Sequence, residues 1–311
     1  KKTEGLLFTP SASLYLGTVP IPVANIGSTK SSGIDLTLGY NTTVAKKVKI
    51  STALTFTTSN NEVTATNTDG TARILGGYYF NGQSQSVTVF EKGFTPGYFY
   101  GYKTDGLFQT AKEVADAPTQ TGAQPGDIRF VDMNGDGVIS AADQTQIGDP
   151  FPDFTMGWNL NIEYKNFDFN AFTYASVGND IYRAYERNAN YSNKYRGVLA
   201  RWTGPGTTND ARNPRYTFSD VNSNIRVSDR YVEDGSFIKI KNIQLGYTFP
   251  ATATKKLFSK LRIYVQVKNA FVFTDYSGYD PEISGGVLDT GIDRGSYPQA
   301  RTYSIGLDIK L

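Results

Sequence analysis

Apolar residues recur at every second position in several segments of this chain. The clearest segment runs from residue 154 to residue 164, where the apolar residues alternate with Gly157, Asn159, Asn161 and Glu163. The same period recurs in segments 33–40, 48–56, 167–175, 238–249, 261–267 and 303–311. Successive side chains of a β-strand point to opposite faces, so this period predicts an all-β protein whose strands have one apolar and one polar face.

One of these segments changes its parity midway. Ile238 and Ile240 occupy even positions, whereas Ile243 and Leu245 occupy odd ones. A β-bulge inserts one extra residue into a strand and shifts the alternation by one position. We therefore expect a bulge near Lys241, which would return both pairs of apolar residues to the same face.

The connections between the predicted strands alternate between short and long. The short ones lie around residues 42–46, 165–166 and 250–256, and the long ones at 108–153, 177–234 and 274–298. A soluble β-sandwich has no reason to collect its long connections at one end. Outer-membrane barrels have tight periplasmic turns and long extracellular loops. The rhythm continues through about ten strands of bilayer-spanning length if residues 74–92 form one strand.

Aromatic residues near the strand ends fit the interfacial girdles of a membrane barrel, and they are Tyr40, Phe56, Phe154, Tyr164, Phe249, Phe273 and Tyr303. The sequence has no apolar run long enough for a transmembrane helix. Its mean hydropathy of −0.37 suits a soluble protein and a barrel equally. Alternation alone would also fit the half-buried strands of a soluble β-protein, and the loop rhythm and the girdles favour the transmembrane antiparallel barrel.

The composition excludes several kinds of chemistry. The chain has no Cys and no His, which rules out disulfides, thiol chemistry, histidine-based catalysis and the common zinc sites. Its 31 Lys and Arg residues balance 29 Asp and Glu residues, so no basic surface for nucleic acid is indicated. Asp280 and Glu282 are close in sequence, and we expect them to be solvated loop residues. The chain is not expected to be an enzyme.

The segment from Asp132 to Asp143 carries the sharpest chemical signal. Its pattern fits a calcium loop of EF-hand type, with Gly137 at the sharp bend and the usual Glu of the twelfth position replaced by Asp143. Calcium prefers six to eight hard oxygen ligands. The predicted ligands of a calcium ion here are Asp132, Asn134, Asp136, Val138, Ser140 and Asp143.

The sequence before this loop contains several Gly and Pro residues and predicts no amphipathic helix. We therefore interpret the calcium as structural, holding a long extracellular loop, and not as the trigger of a calcium sensor. The alternative is a turn rich in Gly, Asp and Asn that binds no metal. A single copy of the loop also argues against a dockerin module.

The same region resembles the SusC/RagA family of TonB-linked outer-membrane transporters. The stretch from Gly126 to Gly137, followed by Gly148-Asp149-Pro150, is similar to the hallmark of that family. Further similar pieces follow the family's order along nearly the whole chain, at 27–36, 97–108, 164–168, 178–182, 201–203, 232–247, 268–271 and 279–282.

The resemblance implies the C-terminal part of a TonB-dependent receptor barrel of about 22 strands. It further implies a Gram-negative outer membrane, a SusD-like surface lipoprotein as a lid, and the TonB complex as the energy source. The family's TonB box, plug and first dozen or so strands are not in this chain, the last residue is Leu311 where an aromatic is common, and Lys239 stands where the family usually has Arg. We expect these residues to need the remaining barrel and plug to transport anything, since lipid does not tolerate open sheet edges.

The function that follows is TonB-dependent import of glycans or oligopeptides. Phe172 and Tyr174 are predicted to face the lumen and to offer stacking surfaces for a substrate, beside the polar groups of Asn159, Asn161, Asn170 and Gln244. The alternative for these side chains is an ordinary polar lumen with aromatics packed on a plug. The alternative functions are a passive porin-like or adhesive barrel, and a soluble calcium-stabilised β-domain of a secreted glycan-binding protein.

Overall fold

The computed structural model describes residues 1–8, 23–66, 73–80, 84–186, 196–250, 252 and 258–310. The secondary structure, numbered in chain order, consists of β1 (Lys2–Phe8), β2 (Ala24–Val44), β3 (Val48–Ala65), β4 (Ile74–Gly76), β5 (Tyr79–Phe80), β6 (Ser84–Gln85), β7 (Thr88–Phe90), β8 (Tyr98–Gly101), β9 (Thr104–Leu107), helix α1 (Ala111–Asp116), β10 (Ile128–Phe130), β11 (Thr145–Gly148), β12 (Phe154–Tyr164), β13 (Phe167–Val177), β14 (Asp180–Arg183), β15 (Val232–Asp234), β16 (Phe237–Thr248), β17 (Lys260–Thr274), β18 (Ile292–Asp293) and β19 (Thr302–Lys310). Three short 3-10 helices lie at Ala141–Asp143, Arg196–Ala200 and Asp229–Tyr231.

The long strands form one sheet in the order β1-β2-β3-β12-β13-β16-β17-β19. Every neighbouring pair in this sheet is antiparallel. The alternating segments predicted from the sequence all lie in it, which confirms the β class. Within the described ranges the sheet has eight strands, fewer than the ten or so that the sequence predicted.

The two faces of this sheet differ in polarity. One of them, here called the apolar face, exposes large hydrophobic side chains, with Ile305 at 79 % and Ile34 at 66 % of their full accessibility. The other, the polar face, carries the alternate residues, among them Asn159, Asn161 and Asn170. Registered neighbours such as Ile305 and Val265 share the apolar face across strands. A continuous exposed apolar surface of this extent is characteristic of an interaction or membrane surface.

The turns explain how the strands are kept in register. Ala45 and Lys46 both adopt left-handed φ angles, of 51° and 55°, in the tight turn between β2 and β3. Left-handed angles suit a short hairpin connection, and here three residues separate the paired Val44 and Val48. Lys165, with φ of 51°, closes the hairpin between β12 and β13 in the same way. The third short connection, at 250–256, lies mostly outside the described residues.

The predicted bulge is confirmed. The pairing of β16 with β13 passes from Asn242 to Ile240 and skips Lys241. The register with β17 shifts at the same point. Ile238 and Leu245 consequently lie on the apolar face, 46 % and 47 % exposed, despite their different parity.

The prediction of a single strand over residues 74–92 is wrong. Strand β3 pairs directly with β12 in the main sheet, and the intervening residues form separate short strands. Gly77 adopts a φ of 61°, a left-handed conformation that interrupts an extended strand. All three residues of β7 are buried, so this strand belongs to a packed core and has no lipid-facing side.

The three long connections, at residues 66–153, 178–236 and 275–301, lie at the same end of the main sheet and are here called the loop region. The long connections collect at one end of the sheet, as predicted, but the first of them begins at residue 66 and not at residue 108. The loop region holds small sheets of its own, β11-β8-β7-β4 and β15-β14-β18 among them. Its main apolar core draws on all three connections and consists of Val87, Phe99, Tyr182, Ala184, Val227, Tyr231 and Ile292.

Helix α1 has six residues and is capped by Thr110, whose side chain accepts a hydrogen bond from the Glu113 N–H. No helix in the described part of the chain has the length and apolar character needed to cross a membrane.

Candidate functional site

The predicted calcium loop is built from side-chain oxygens that accept backbone N–H groups. Both carboxylate oxygens of Asp132 accept hydrogen bonds, from Gly135 at 2.7 Å and from Gly137 at 2.8 Å. Asn134 accepts from the N–H of Asp136 at 3.0 Å. Gly137 has a φ of 82°, the left-handed bend expected at this position. The side chains of Asp132 and Asn134 are therefore held against the backbone of the same bend.

Asp143 closes the loop from its far end. Its carboxylate is fully buried and accepts the N–H groups of Met133 at 2.9 Å and Ser140 at 2.7 Å. Burial alone would raise the pKa of Asp143, but these N–H groups favour the ionised form and hold its pKa below the usual value. The side chain is thereby fixed as a cap of the short helix at Ala141–Asp143.

The donor set fits calcium in its chemistry, because the predicted ligands are hard oxygens. The backbone bridge of Thr119 to this loop uses the carbonyl of Gly137 and the N–H of Ile139, and leaves the Val138 carbonyl out of the bridge. No group of three or more acidic side chains in the described ranges is placed to hold a metal ion by itself. A calcium ion here would thus depend on amide and main-chain oxygens as well.

Phe172 and Tyr174 both lie on the polar face, but in different surroundings. Phe172 is registered opposite Asn159 on one side and Asn242 on the other. Its ring lies across Gly157, since a Cβ built on that glycine would be 3.6 Å from the ring. The Lys241 amine lies 4.7 Å from the centre of the Tyr174 ring and covers it. The two predicted stacking residues are therefore not equivalent.

The predicted polar groups of the lumen are partly brought together. The Asn170 amide nitrogen donates to the side-chain oxygens of Asn161 at 2.7 Å and Asn159 at 3.1 Å. Gln244 is registered opposite Asn170 on the neighbouring strand. These residues form one amide-rich area at mid-length of the strands.

The interpretation of Asp280 and Glu282 as solvated loop residues is wrong. The Lys239 amine, with a side chain only 1 % exposed, lies 3.2 Å from Asp280 and 3.0 Å from Glu282. Lys241 contacts the other oxygen of Glu282 at 2.6 Å. The cluster neutralises itself and fastens the connection at 275–301 to the polar face, because a buried charge must be paired.

Sequence reasoning missed Lys239, Lys241 and Asn242 as members of the polar face. The signal was present in part, since Lys239 stands between Ile238 and Ile240 in a segment of period two. Its acidic partners lie about forty residues further along the chain, and no period or spacing relates positions so far apart. Only the folded connection brings them into contact.

A sheet with an exposed apolar face, a polar face behind it and long connections at one end is the arrangement found in the walls of outer-membrane barrel proteins. Two proteins with similar sequences come from Formosa agariphila and Bacteroides thetaiotaomicron. TonB-dependent receptor P3 of the former is 34% identical over 99% of this chain, which spans 31% of that receptor. TonB-dependent receptor SusC of the latter is 28% identical over 95% of this chain, which spans 28% of that receptor. The homologues of this chain are thus TonB-dependent receptors, SusC among them.

The fold has counterparts among solved structures. The structure of the RagAB peptide transporter superposes with a TM-score of 0.76 at 20% identity, and the match covers 99% of this chain and 32% of that one. The RagAB peptide importer in its open-open state gives a TM-score of 0.73 at the same identity. No protein-family model matches the sequence. The chain spans about a third of the length of the proteins it resembles.

Proposed function

We propose that this chain forms the C-terminal part of the barrel wall, with its extracellular loops, in a TonB-dependent importer of the outer membrane. The observation that carries the proposal is the inverted polarity of the main sheet. Apolar side chains such as Ile305 and Ile34 are exposed on one face, and asparagines and ion pairs line the other. Lipid outside and water inside is the environment that this arrangement suits.

The homology supports the same role and points to transport in place of catalysis. Because the chain spans only about a third of SusC and of receptor P3, the rest of the barrel and a plug are part of the proposal. So are its partners, a SusD-like surface lipoprotein and the TonB complex. The location proposed is the outer membrane of a Gram-negative bacterium. The substrate class proposed at this level is a glycan or an oligopeptide.

We also propose that the loop from Asp132 to Asp143 binds a structural calcium ion. The predicted ligands are hard oxygens, and both carboxylate oxygens of Asp132 already lie at the bend, where Gly137 is left-handed. Asp143 serves as a cap of the loop, with both oxygens on N–H groups. The ion would stiffen the loop region on the extracellular side.

The import role is tested by deleting the gene in its own bacterium. Growth is measured on a panel of neutral oligosaccharides, uronate oligosaccharides and oligopeptides as single nutrient sources. We expect the deletion strain to lose growth on at least one source and to recover it with the intact gene. Unchanged growth on the whole panel would contradict import.

Extraction behaviour separates the alternatives. A soluble calcium-stabilised domain would leave the cells or dissolve without detergent, whereas a barrel wall stays with the outer membrane until detergent is added. A passive porin or an adhesin would remain in the membrane as well. A porin would continue to transport its substrate when the TonB complex is removed, and an adhesin would transport nothing. Energy-dependent uptake distinguishes the importer from both.

A further inference from the structure

Lysines collect at the tight-turn end of the main sheet. The turn between β2 and β3 contains Lys46 and Lys47, and the turn between β12 and β13 contains Lys165. All three residues are exposed, and they are here called the lysine rim. Neither turn contains an acidic residue, and the sequence of the third short connection, 250–256, likewise has two lysines and no acid.

The register of the sheet places the two turns of the lysine rim side by side. Val48 of β3 is paired with Tyr164 of β12. Lys47 precedes Val48 and Lys165 follows Tyr164, so both lysines adjoin the same registered pair. Like charges on neighbouring strands repel each other. An anion bound beside these two amines would relieve that repulsion.

The carboxylates at this end of the sheet are already paired with other cations. Glu163 lies 3.2 Å from the Lys49 amine. Asp168 and Asp308 lie 2.6 Å and 3.0 Å from the guanidinium of Arg262. Within the ranges that the structure describes, none of the three residues of the lysine rim forms an ion pair. Their charge is therefore available to an anion from outside the chain.

Two further lysines at the same end face the other way. Lys260 and Lys310 are registered opposite each other and are both exposed. They share the parity of Arg262 and Asp308 in their strands, which places them on the polar face. They add to the positive charge at this end of the sheet. They are not part of the lysine rim, because the polar face is proposed to line the lumen.

Aromatic side chains line the apolar face beside the lysine rim. The Lys165 amine lies 5.3 Å from the centre of the Tyr164 ring. Phe167 is exposed and is registered opposite Tyr164. Its ring lies 4.8 Å from that of Tyr247, which meets the ring of Phe249 edge to face at 5.1 Å. These four aromatic residues are here called the aromatic row.

Lysines and aromatic rings at one level of an apolar surface suit the boundary between hydrocarbon and lipid headgroups. Tyrosine rings are enriched at that boundary because they have an apolar body and a polar tip. A lysine lays its methylene stem along apolar surface and keeps its amine in water. Clustered basic residues at this level attract anionic headgroups. The charge of the lysine rim is thus complementary to that of an anionic phospholipid.

We propose that the lysine rim and the aromatic row form a binding surface for anionic phospholipids in the periplasmic leaflet of the outer membrane. The amines pair with the phosphate of the headgroup, and the aromatic row packs against the adjoining part of the acyl chains. The proposal rests on the proposed barrel function, which places the tight turns on the periplasmic side. It adds a lipid of defined charge to the partners of the receptor.

The experiment compares two lipids that differ in headgroup charge. The complete receptor in a nonionic detergent is incubated with phosphatidylglycerol and phosphatidylcholine of the same acyl chains, and bound lipids are counted by native mass spectrometry. We expect a preference for phosphatidylglycerol that weakens as the salt concentration rises. The triple variant Lys46→Gln, Lys47→Gln, Lys165→Gln should reduce this preference by about fivefold for each lysine removed.

Two sets of substitutions serve as controls. Lys46→Arg with Lys47→Arg and Lys165→Arg keeps the charge of the lysine rim and should keep the lipid preference. Lys260→Gln with Lys310→Gln removes charge from the polar face at the same end and should keep the preference as well. Heat-modifiable migration verifies that each variant is folded.

The outcomes separate this proposal from the import role. Equal binding of the two lipids by the wild type would overturn the lipid surface, and so would a preference that the triple glutamine variant retains. A variant with unchanged lipid preference but slower uptake would assign the lysine rim to a periplasmic protein partner instead. None of these results would alter the import role, which the growth of the deletion strain tests. A receptor that dissolves without detergent would remove both the barrel wall and its lipid surface.

Discussion

The main sheet and the loop region of this protein place their apolar residues in opposite ways. In the sheet, hydrophobic side chains such as Ile305 are exposed and asparagines line the opposite face. In the loop region, Phe99 and Tyr182 are fully buried and their rings meet edge to face at 5.8 Å. One chain thus contains a sheet suited to lipid and a region folded as a water-soluble protein folds.

The contrast agrees with the two environments proposed for the two parts, lipid for the sheet and water for the loop region. Water drives apolar side chains into a core, and the loop region has such a core. A lipid bilayer removes that driving force and favours apolar side chains outside. The boundary between the two parts lies at the strand ends, where β3, β12, β13, β16, β17 and β19 meet the long connections.

The largest expected effect comes from opening the core of the loop region. Phe99→Ala would leave a cavity beside Tyr182 and destabilise the region by about 3–5 kcal/mol. The sheet should keep its structure, because its stability comes from lipid and from strand pairing. Limited proteolysis of the receptor in membranes, with circular dichroism of the protein in detergent, measures both.

The control for this change is Phe218→Ala, since Phe218 is 79 % exposed in the same region. Its effect should lie within about 0.5 kcal/mol. Equal proteolysis of the two variants would contradict a separate packed core.

The second effect tests the apolar face of the sheet. Ile305→Lys places a charge on a face proposed to contact lipid and should destabilise the inserted protein by about 2–4 kcal/mol. Ser304→Lys, one residue away on the polar face, is the matched control and should have little effect. Denaturant titration in lipid vesicles measures the free energy of unfolding of both variants. An equal loss of this free energy in the two variants would contradict the assignment of Ile305 to a lipid-facing position.

The third effect tests the calcium loop of the loop region. At a calcium concentration one hundred times Kd, binding should stabilise the loop by about 2.7 kcal/mol. Hydrogen exchange of residues 132–143 should slow with calcium and return to its faster rate with a chelator. Asp132→Asn should weaken this response, whereas Asp105→Asn, an acidic control outside the loop, should retain it. A hydrogen-exchange rate that does not change with calcium in the wild type would contradict the calcium site.

The sheet could be predicted from the sequence more fully than the loop region. Period two identifies a strand with two different faces, as for segment 154–164, and tight turns fix the partner of each hairpin. The small strand β7 is buried on both sides, so its residues show no alternation, and the prediction of one strand over residues 74–92 failed there.

The residues of the candidate site also differ in how far the sequence predicts them. Phe172 and Asn170 were found from their parity within a strand. Lys239 with Asp280, and Asn242 with Gln266, depend on contacts between distant segments that no local pattern encodes. Site residues on a regular strand can thus be predicted in part from the sequence. The contacts that attach a long connection to the sheet cannot.

The smallest expected effect concerns that attachment and its dependence on pH. Burial opposes ionisation of Glu282, but Lys241 and Lys239 outweigh it and hold the pKa of Glu282 below its ordinary value of 4.5. A carboxyl group whose folded pKa is lowered stabilises the fold at pH values above the unfolded pKa, and this contribution is lost as the pH falls through the folded pKa. Half-exposed ion pairs contribute roughly 1 kcal/mol or less. Acidification below pH 4.5 should therefore speed hydrogen exchange around residues 279–284 reversibly, while the core around Phe99 stays protected. Glu282→Gln should remove the pH step, and a step of equal size in that variant would assign it to another group.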